Sequence, residues 1–168
     1  MTKKISRMFQ VSPEVLSSSI DKKMEKIIHE HIVGSCSEAN GYIVEVSNIV
    51  LKNATVSEPT GLVDIIVDFD AECVKPEIGS HYSGRVCLVF DMGVLVDIAG
   101  VLKVLIPVTD QTCIVNGELR DAVYDQLVNS LTIDSLKIEK GKIIRVQVSG
   151  VQYNAETNSF NCFGDIIN

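Results

Sequence analysis

The sequence predicts two small domains in one chain: an α+β domain with one helix on a small antiparallel sheet, then an all-β barrel. Three observations point there. Residues 62–74 alternate between apolar and mostly acidic positions with period two, and residues 20–32 carry apolar side chains at helical spacing. The alternation then breaks at Pro76-Glu77-Ile78-Gly79-Ser80, before a second run of short strands. The domains that follow are 1–76 and 77–168.

In the first domain, residues 4–11 alternate loosely and predict a short strand, with a turn at Ser12-Pro13. Ser17, Ser18 and Ser19 offer N-caps for a helix from about Ile20 to His31. Its apolar residues Ile20, Met24, Ile27, Ile28 and Ile32 share one face, and Gly34 ends it. Gly41 to Leu51 is an apolar, β-rich run, and Asn53–Gly61, with Pro59 and Gly61, predicts a loop. From Leu62 to Val74, Val63, Ile65, Val67, Phe69, Ala71 and Cys73 point one way, and Asp64, Asp68, Asp70 and Glu72 point the other. That is a half-buried strand with an acidic outer stripe.

In the second domain the predicted strands are Ser83–Asp91, Gly93–Ala99, Leu102–Pro107, Lys142–Tyr153 and Ser159–Ile167. Between the third and fourth, Leu119, Val123, Leu127 and Leu131 recur at helical spacing and predict a helical insert. Five short strands with a helix after the third is the pattern of an OB-fold barrel; a generic five-stranded sandwich has the same periodicity.

Composition narrows the function classes. Aromatics make up 5% and Trp is absent, so the core must come from Val, Ile and Leu. No run is apolar enough to span a bilayer, no apolar segment follows the basic start, and neither a membrane nor a secretory role is expected. Five scattered cysteines, Cys36, Cys73, Cys87, Cys113 and Cys162, include no CxxC pair, which predicts a reducing intracellular location. Residues 1–76 hold 8 basic and 11 acidic side chains and residues 77–168 hold 7 and 11, so neither half has the basic excess of an autonomous nucleic-acid binder.

Candidate chemistry is sparse. Carboxylates are good ligands for hard cations, but the acidic stripe spaces its members about 7 Å apart along a strand, which favours a solvated face over a metal-dependent hydrolase. His29 and His31 diverge by about 200° on a helix, so they make poor co-ligands. No nucleophile elbow, phosphate loop or dinucleotide turn occurs, and neither catalysis nor a cofactor is expected. OB-folds bind single strands across the second and third strands and adjoining loops. On that surface Arg85 and Lys103 are the candidate phosphate contacts, with Phe90 or Tyr153 as stacking rings; solubility charge is the plainer reading of the two cations.

Four segments carry a family resemblance. Val33-Gly34-Ser35-Cys36-Ser37-Glu38-Ala39-Asn40-Gly41-Tyr42-Ile43-Val44 resembles E-G-T-C-T-x-x-x-G-[YF], and Val67 to Pro76 resembles V-x-[YF]-x-A-x-[VL]-[WF]-[KR]-P. Gly84-Arg85-Val86 with Gly93 to Ile98 resembles G-x-V followed by G-x-F-x-x-[IV]-G, and Gly141 to Gly150 resembles G-x-x-[IV]-R-x-[KR]-[IV]-V-G. Together, and in this order, they resemble the stalk subunits of multisubunit DNA-dependent RNA polymerases: the seventh subunit of eukaryotic RNA polymerase II and its archaeal counterpart. The departures are Leu95 in place of an aromatic, Ala99 before Gly100, a short 53–61 loop, and no counterpart for Asp110–Glu139.

The resemblance implies a non-catalytic subunit with an N-terminal tip domain and a C-terminal OB-fold. It would dock near the polymerase clamp and support initiation and RNA exit. Implied partners are the polymerase core subunits, a helical partner of the fourth-subunit type, and, weakly, nascent single-stranded RNA. Implied core-docking residues are Gly34, Ser35, Cys36, Gly41, Pro59 and Gly61, in two loops expected at one end of the sheet. The implied location is the nucleus, or cytoplasm and virion for a diverged member encoded by a large DNA virus. The competing expectation is a free OB-fold RNA-binding module in translation or RNA decay, which lacks its basic excess and leaves the N-terminal motifs unexplained.

Overall fold

The computed structural model describes residues 1–16 and 19–168, so the proposed caps Ser17 and Ser18 lie outside the described residues. The chain folds as two compact units, Met1–Val74 and Lys75–Asn168.

The first unit contains β1 (Thr2–Val11), a 3-10 turn at Pro13–Val15, α1 (Ile20–Ile32), β2 (Cys36–Ser37), β3 (Gly41–Val56) and β4 (Val63–Val74). The strands form an antiparallel sheet in the order β1-β4-β3-β2. β4 is its centre because one of its faces is wholly apolar. Val63, Ile65, Val67, Phe69, Ala71 and Cys73 are all buried, in one cluster with Met24, Ile28 and Ile32 of α1. Those three helix residues stand four apart, so one stripe of α1 covers the sheet.

Two expectations for this unit need correction. β3 runs on to Val56, where a loop is expected from Asn53. Asn53 pairs with Ile66, Ala54 with Ile65 and Val56 with Val63; the connection is the tight turn after Val56, closed by Ser57 N–H donating to the Leu62 carbonyl at 2.8 Å. The polar residues there are strand positions on a pleated surface. Irregular register at Ile43/Glu45, Ser47/Val50 and Leu51/Asn53 breaks the period-two signal that would have shown it.

The second correction follows from the first. The two candidate docking loops do not share an end of the sheet. Gly41 begins β3 and the Ser57–Leu62 turn follows its far end. The intervening β4, with 12 residues, separates them by about 36 Å at ~3.3 Å per residue.

The second unit is built on β5 (His81–Phe90), β6 (Gly93–Ile98), β7 (Leu102–Pro107), β12 (Ile143–Asn154) and β13 (Ser159–Ile167). Neighbours pair in the order β13-β12-β5-β6-β7, and a parallel pairing of β13 with β7 closes the five strands into a barrel. Val86, Val96, Leu102, Val104 and Val146 are buried inside it. Gly84 faces inward where two strands nearly touch: a Cβ there would lie 2.8 Å from the Asp97 carbonyl oxygen. Among the described residues no helix is long and apolar enough to cross a membrane.

The expected helical insert is instead a meander of four strands, β8 (Thr112–Val115), β9 (Glu118–Asp125), β10 (Ser130–Ile133) and β11 (Leu136–Ile138). Turn chemistry outweighs the spacing of four. Asn116-Gly117, Asn129 and Asp134 all take positive φ, and Asn-Gly between apolar strands is a strong hairpin signal. Of the four residues that suggested a helix face, only Leu131 is buried; Leu127 is 95% exposed.

Candidate nucleic-acid interface

The outer face of the barrel is organised in cross-strand rows, because residues directly opposite on adjacent strands point the same way. Ile143 of β12 stands opposite Arg85 of β5, Arg85 opposite Asp97 of β6, and Asp97 opposite Lys103 of β7. The two candidate phosphate contacts therefore belong to one row, with a carboxylate between them. Arg85 and Lys103 are exposed, and neither forms an ion pair among the described residues. Asp97 Oδ1 is buried, with no hydrogen-bond partner among the described residues. Arg85 and Asp97 line a shallow groove with Ser83, Gly84, Ala99, Gly100 and Ile143.

The rim of this groove is the β6–β7 turn, where Ala99 (φ 55°) precedes Gly100 (φ 74°). Two consecutive positive φ values suit a hairpin's twist, but alanine adopts the first only under steric strain. The departure at Ala99 thus places an unfavourable residue in a turn that asks for Gly, Asn or Asp.

A second row lies farther along the strands. An irregularity in β5 between Val86 and Leu88 resets the alternation and turns Leu88 outward. Leu88 stands opposite Leu95, Leu95 opposite Leu105, and Leu105 beside Phe163 of β13. Leu88 is 51% exposed and Phe163 is 45% exposed. The row is apolar and ends on an open ring.

The proposed stacking rings fall elsewhere. Phe90 pairs with Gly93 at the β5–β6 turn, beyond the leucine row from Arg85. Tyr153 stands opposite Phe160, which is buried, so it shares the side opposite to Phe163. Its ring lies 5.0 Å from that of Phe160, and its hydroxyl bonds to Asn158 at 3.0 Å. The structure brings Arg85 and Lys103 together and leaves Phe90 and Tyr153 apart from them. Phe163 was missed because alternation alone does not say which parity of a strand faces out.

In the first unit, Gly34, Ser35, Cys36 and Gly41 form a tied connection. Gly34 N–H donates to the Ile43 carbonyl at 2.7 Å, the Ser35 hydroxyl donates to the Ile32 carbonyl at 2.6 Å, and Cys36 pairs with Tyr42. Gly34 and Gly41 take positive φ. Burial pushes the Cys36 thiol up, against a hydrogen bond with Tyr42 that lowers it. Pro59 and Gly61 sit in the exposed turn at the far end of the sheet.

Three of the four carboxylates in the acidic stripe of β4 are engaged by neighbours. Asn48 donates to Asp70 at 2.8 Å, Gln10 donates to Asp64 at 3.3 Å, and Lys52 lies 3.9 Å from Asp68. Among the described residues no three His, Cys, Asp or Glu side chains gather as metal ligands. No family model and no curated protein matches this chain.

Proposed function

We propose that this chain is a non-catalytic stalk subunit of a multisubunit DNA-dependent RNA polymerase. It docks on the core through its N-terminal unit and carries an OB-fold barrel that meets emerging RNA. One observation carries the reading. A helix-on-sheet unit and a closed five-stranded barrel follow one another in a single chain, and the join between them falls inside Val67–Pro76, the segment that resembles the family's interdomain joint. The barrel's pairing order supports the OB-fold assignment: counting its strands along the chain, they neighbour one another as first, second, third, fifth, fourth and first again.

In this reading the barrel's two outer rows divide the work. The Arg85–Asp97–Lys103 row meets the RNA backbone, and Leu88 and Leu95, at the end of the second row remote from Phe163, form an apolar surface suited to a helical partner of the fourth-subunit type. The acidic balance of the chain requires that RNA reach it as a tethered transcript, at high effective concentration, instead of by free capture. The test is affinity purification of the tagged full chain from its native cell, followed by mass spectrometry. The two large polymerase subunits are the expected companions; ribosomal proteins or nucleases in their place would overturn the proposal.

A further inference from the structure

We infer that Phe163 is the base-stacking platform of the barrel, working beside Lys103 on single-stranded RNA. The inference rests on the RNA-contacting role proposed above and adds to it a residue that the family resemblance does not mark.

Three observations carry it. Phe163 is a large, open ring on the barrel's outer face, 45% exposed. It stands opposite a glycine: Gly150 of β12 pairs with Phe163, and even a Cβ at Gly150 would lie 3.5 Å from Phe163 Cδ2, so no side chain crowds that flank of the ring. It is also next to an exposed cation. Val104 pairs with Cys162 and Leu105 with Phe163, so Lys103 is the diagonal neighbour of Phe163. Adjacent strands lie about 4.8 Å apart and alternate residues about 7 Å apart, which puts the two Cα atoms about 8 Å from each other. A lysine arm covers that gap, so one nucleotide can stack its base on the ring and give its phosphate to the ammonium.

The charges nearby set what kind of binding this is. Arg85 and Lys103 flank Asp97 in their own row, while Arg145 of β12 and Asp165 of β13 are diagonal neighbours on the same outer face. Burial raises the Asp165 pKa. With three cations against two carboxylates, the net positive charge of the face is small and stacking supplies a larger share of the affinity. Stacking does not release counterions, so its loss lowers affinity without changing the salt dependence.

The experiment uses the full chain and a short labelled single-stranded RNA, with anisotropy read between about 50 and 200 mM salt. The variants are Phe163→Leu, which keeps an apolar side chain against Gly150, Phe163→Tyr, which keeps the ring, and Arg85→Ala/Lys103→Ala. A second probe carries 2-aminopurine, whose fluorescence is quenched when it stacks. Phe163→Leu is expected to weaken binding about tenfold, to keep the wild-type salt slope and to abolish the quench, while Phe163→Tyr retains all three. The double alanine variant is expected to flatten the slope by about 1.4, for two phosphate contacts on a single strand. If the double variant weakens binding and Phe163→Leu does not, or if Phe163→Tyr loses as much as Phe163→Leu, the platform is overturned and the RNA role stands. If the wild type fails to bind even at low salt, both fall.

Discussion

Asp97 stands directly opposite Arg85 across the β5–β6 pair, yet the two form no ion pair, and Oδ1 of the carboxylate is buried with no donor among the described residues. Lys103 stands on its other side. A carboxylate set between two cations repels the phosphate that both would attract. Asp97→Asn should therefore tighten RNA binding. Two like unit charges 4 Å apart in water repel by about 1 kcal/mol, so the gain should be about fivefold at low salt. Anisotropy with the variant and with Asp97→Asn in the Arg85→Ala/Lys103→Ala background checks this. The gain should vanish once the cations are removed, and a gain that persists without them would show that Asp97 acts elsewhere.

Ala99 holds φ 55° in the β6–β7 turn. A left-handed alanine costs about 1–2 kcal/mol, of which glycine's greater unfolded-state entropy returns part. Ala99→Gly should stabilise the chain by about 0.5–1 kcal/mol, seen as a higher urea midpoint at an unchanged slope. An unchanged or lower midpoint would mean that the turn is not strained.

Cys113 is buried in β8, and its thiol is pushed up to about 11, by burial first and by the nearby Asp165 carboxylate second. A pKa raised on folding contributes stability that is complete below the unfolded value of about 9 and lost as pH rises through the folded one. Between pH 9 and about 11 the unfolded chain releases this proton more readily, so stability falls as pH rises. The informative quantity is a difference between two chains that share every other ionisable group. Denaturation of wild type and Cys113→Ala from pH 8 to 11 should show a shallower fall in the variant. Parallel curves would contradict the burial account of this thiol.

How much of this was legible in the sequence varies by element and for physical reasons. β4 announces itself, because one face meets α1 and the other meets solvent, and burial imposes strict alternation. β3 does not. Its three register irregularities scramble the period, and Asn53 and Thr55 resemble loop residues although they pair with β4. The insert misleads for another reason. Leu119, Val123 and Leu127 are exposed, so their spacing reflects no burial, whereas Asn116-Gly117 marked the hairpin. Arg85 and Lys103 could be assigned to the first and third strands of the barrel, but their sharing one row depends on register. Asp97 between them and Phe163 beside them depend on register, and for Phe163 on a parallel contact between distant parts of the chain.

The two sets of candidate docking residues lie at opposite ends of β4, so one compact contact cannot use both. The Val33–Val44 segment carries the family resemblance, and its connection exposes Glu38 and Ala39. Under the proposed stalk role, Glu38→Arg should reduce association with a polymerase core at least about tenfold, the effect of losing about 1.4 kcal/mol, while Glu58→Arg in the far turn leaves it unchanged. Both are exposed positions with little expected effect on folding. Quantitative pull-down of the two variants checks this, and the reverse order of effects would move the contact to the Ser57–Leu62 turn.

The most direct test of the central claim is the composition of the complex that the wild-type chain forms in its own cell. Tagged at one terminus and purified under mild salt, it should bring down both large RNA polymerase subunits in amounts comparable to its own. Recovery of the chain alone, or with ribosomes or RNA-decay enzymes and no polymerase, would contradict the account.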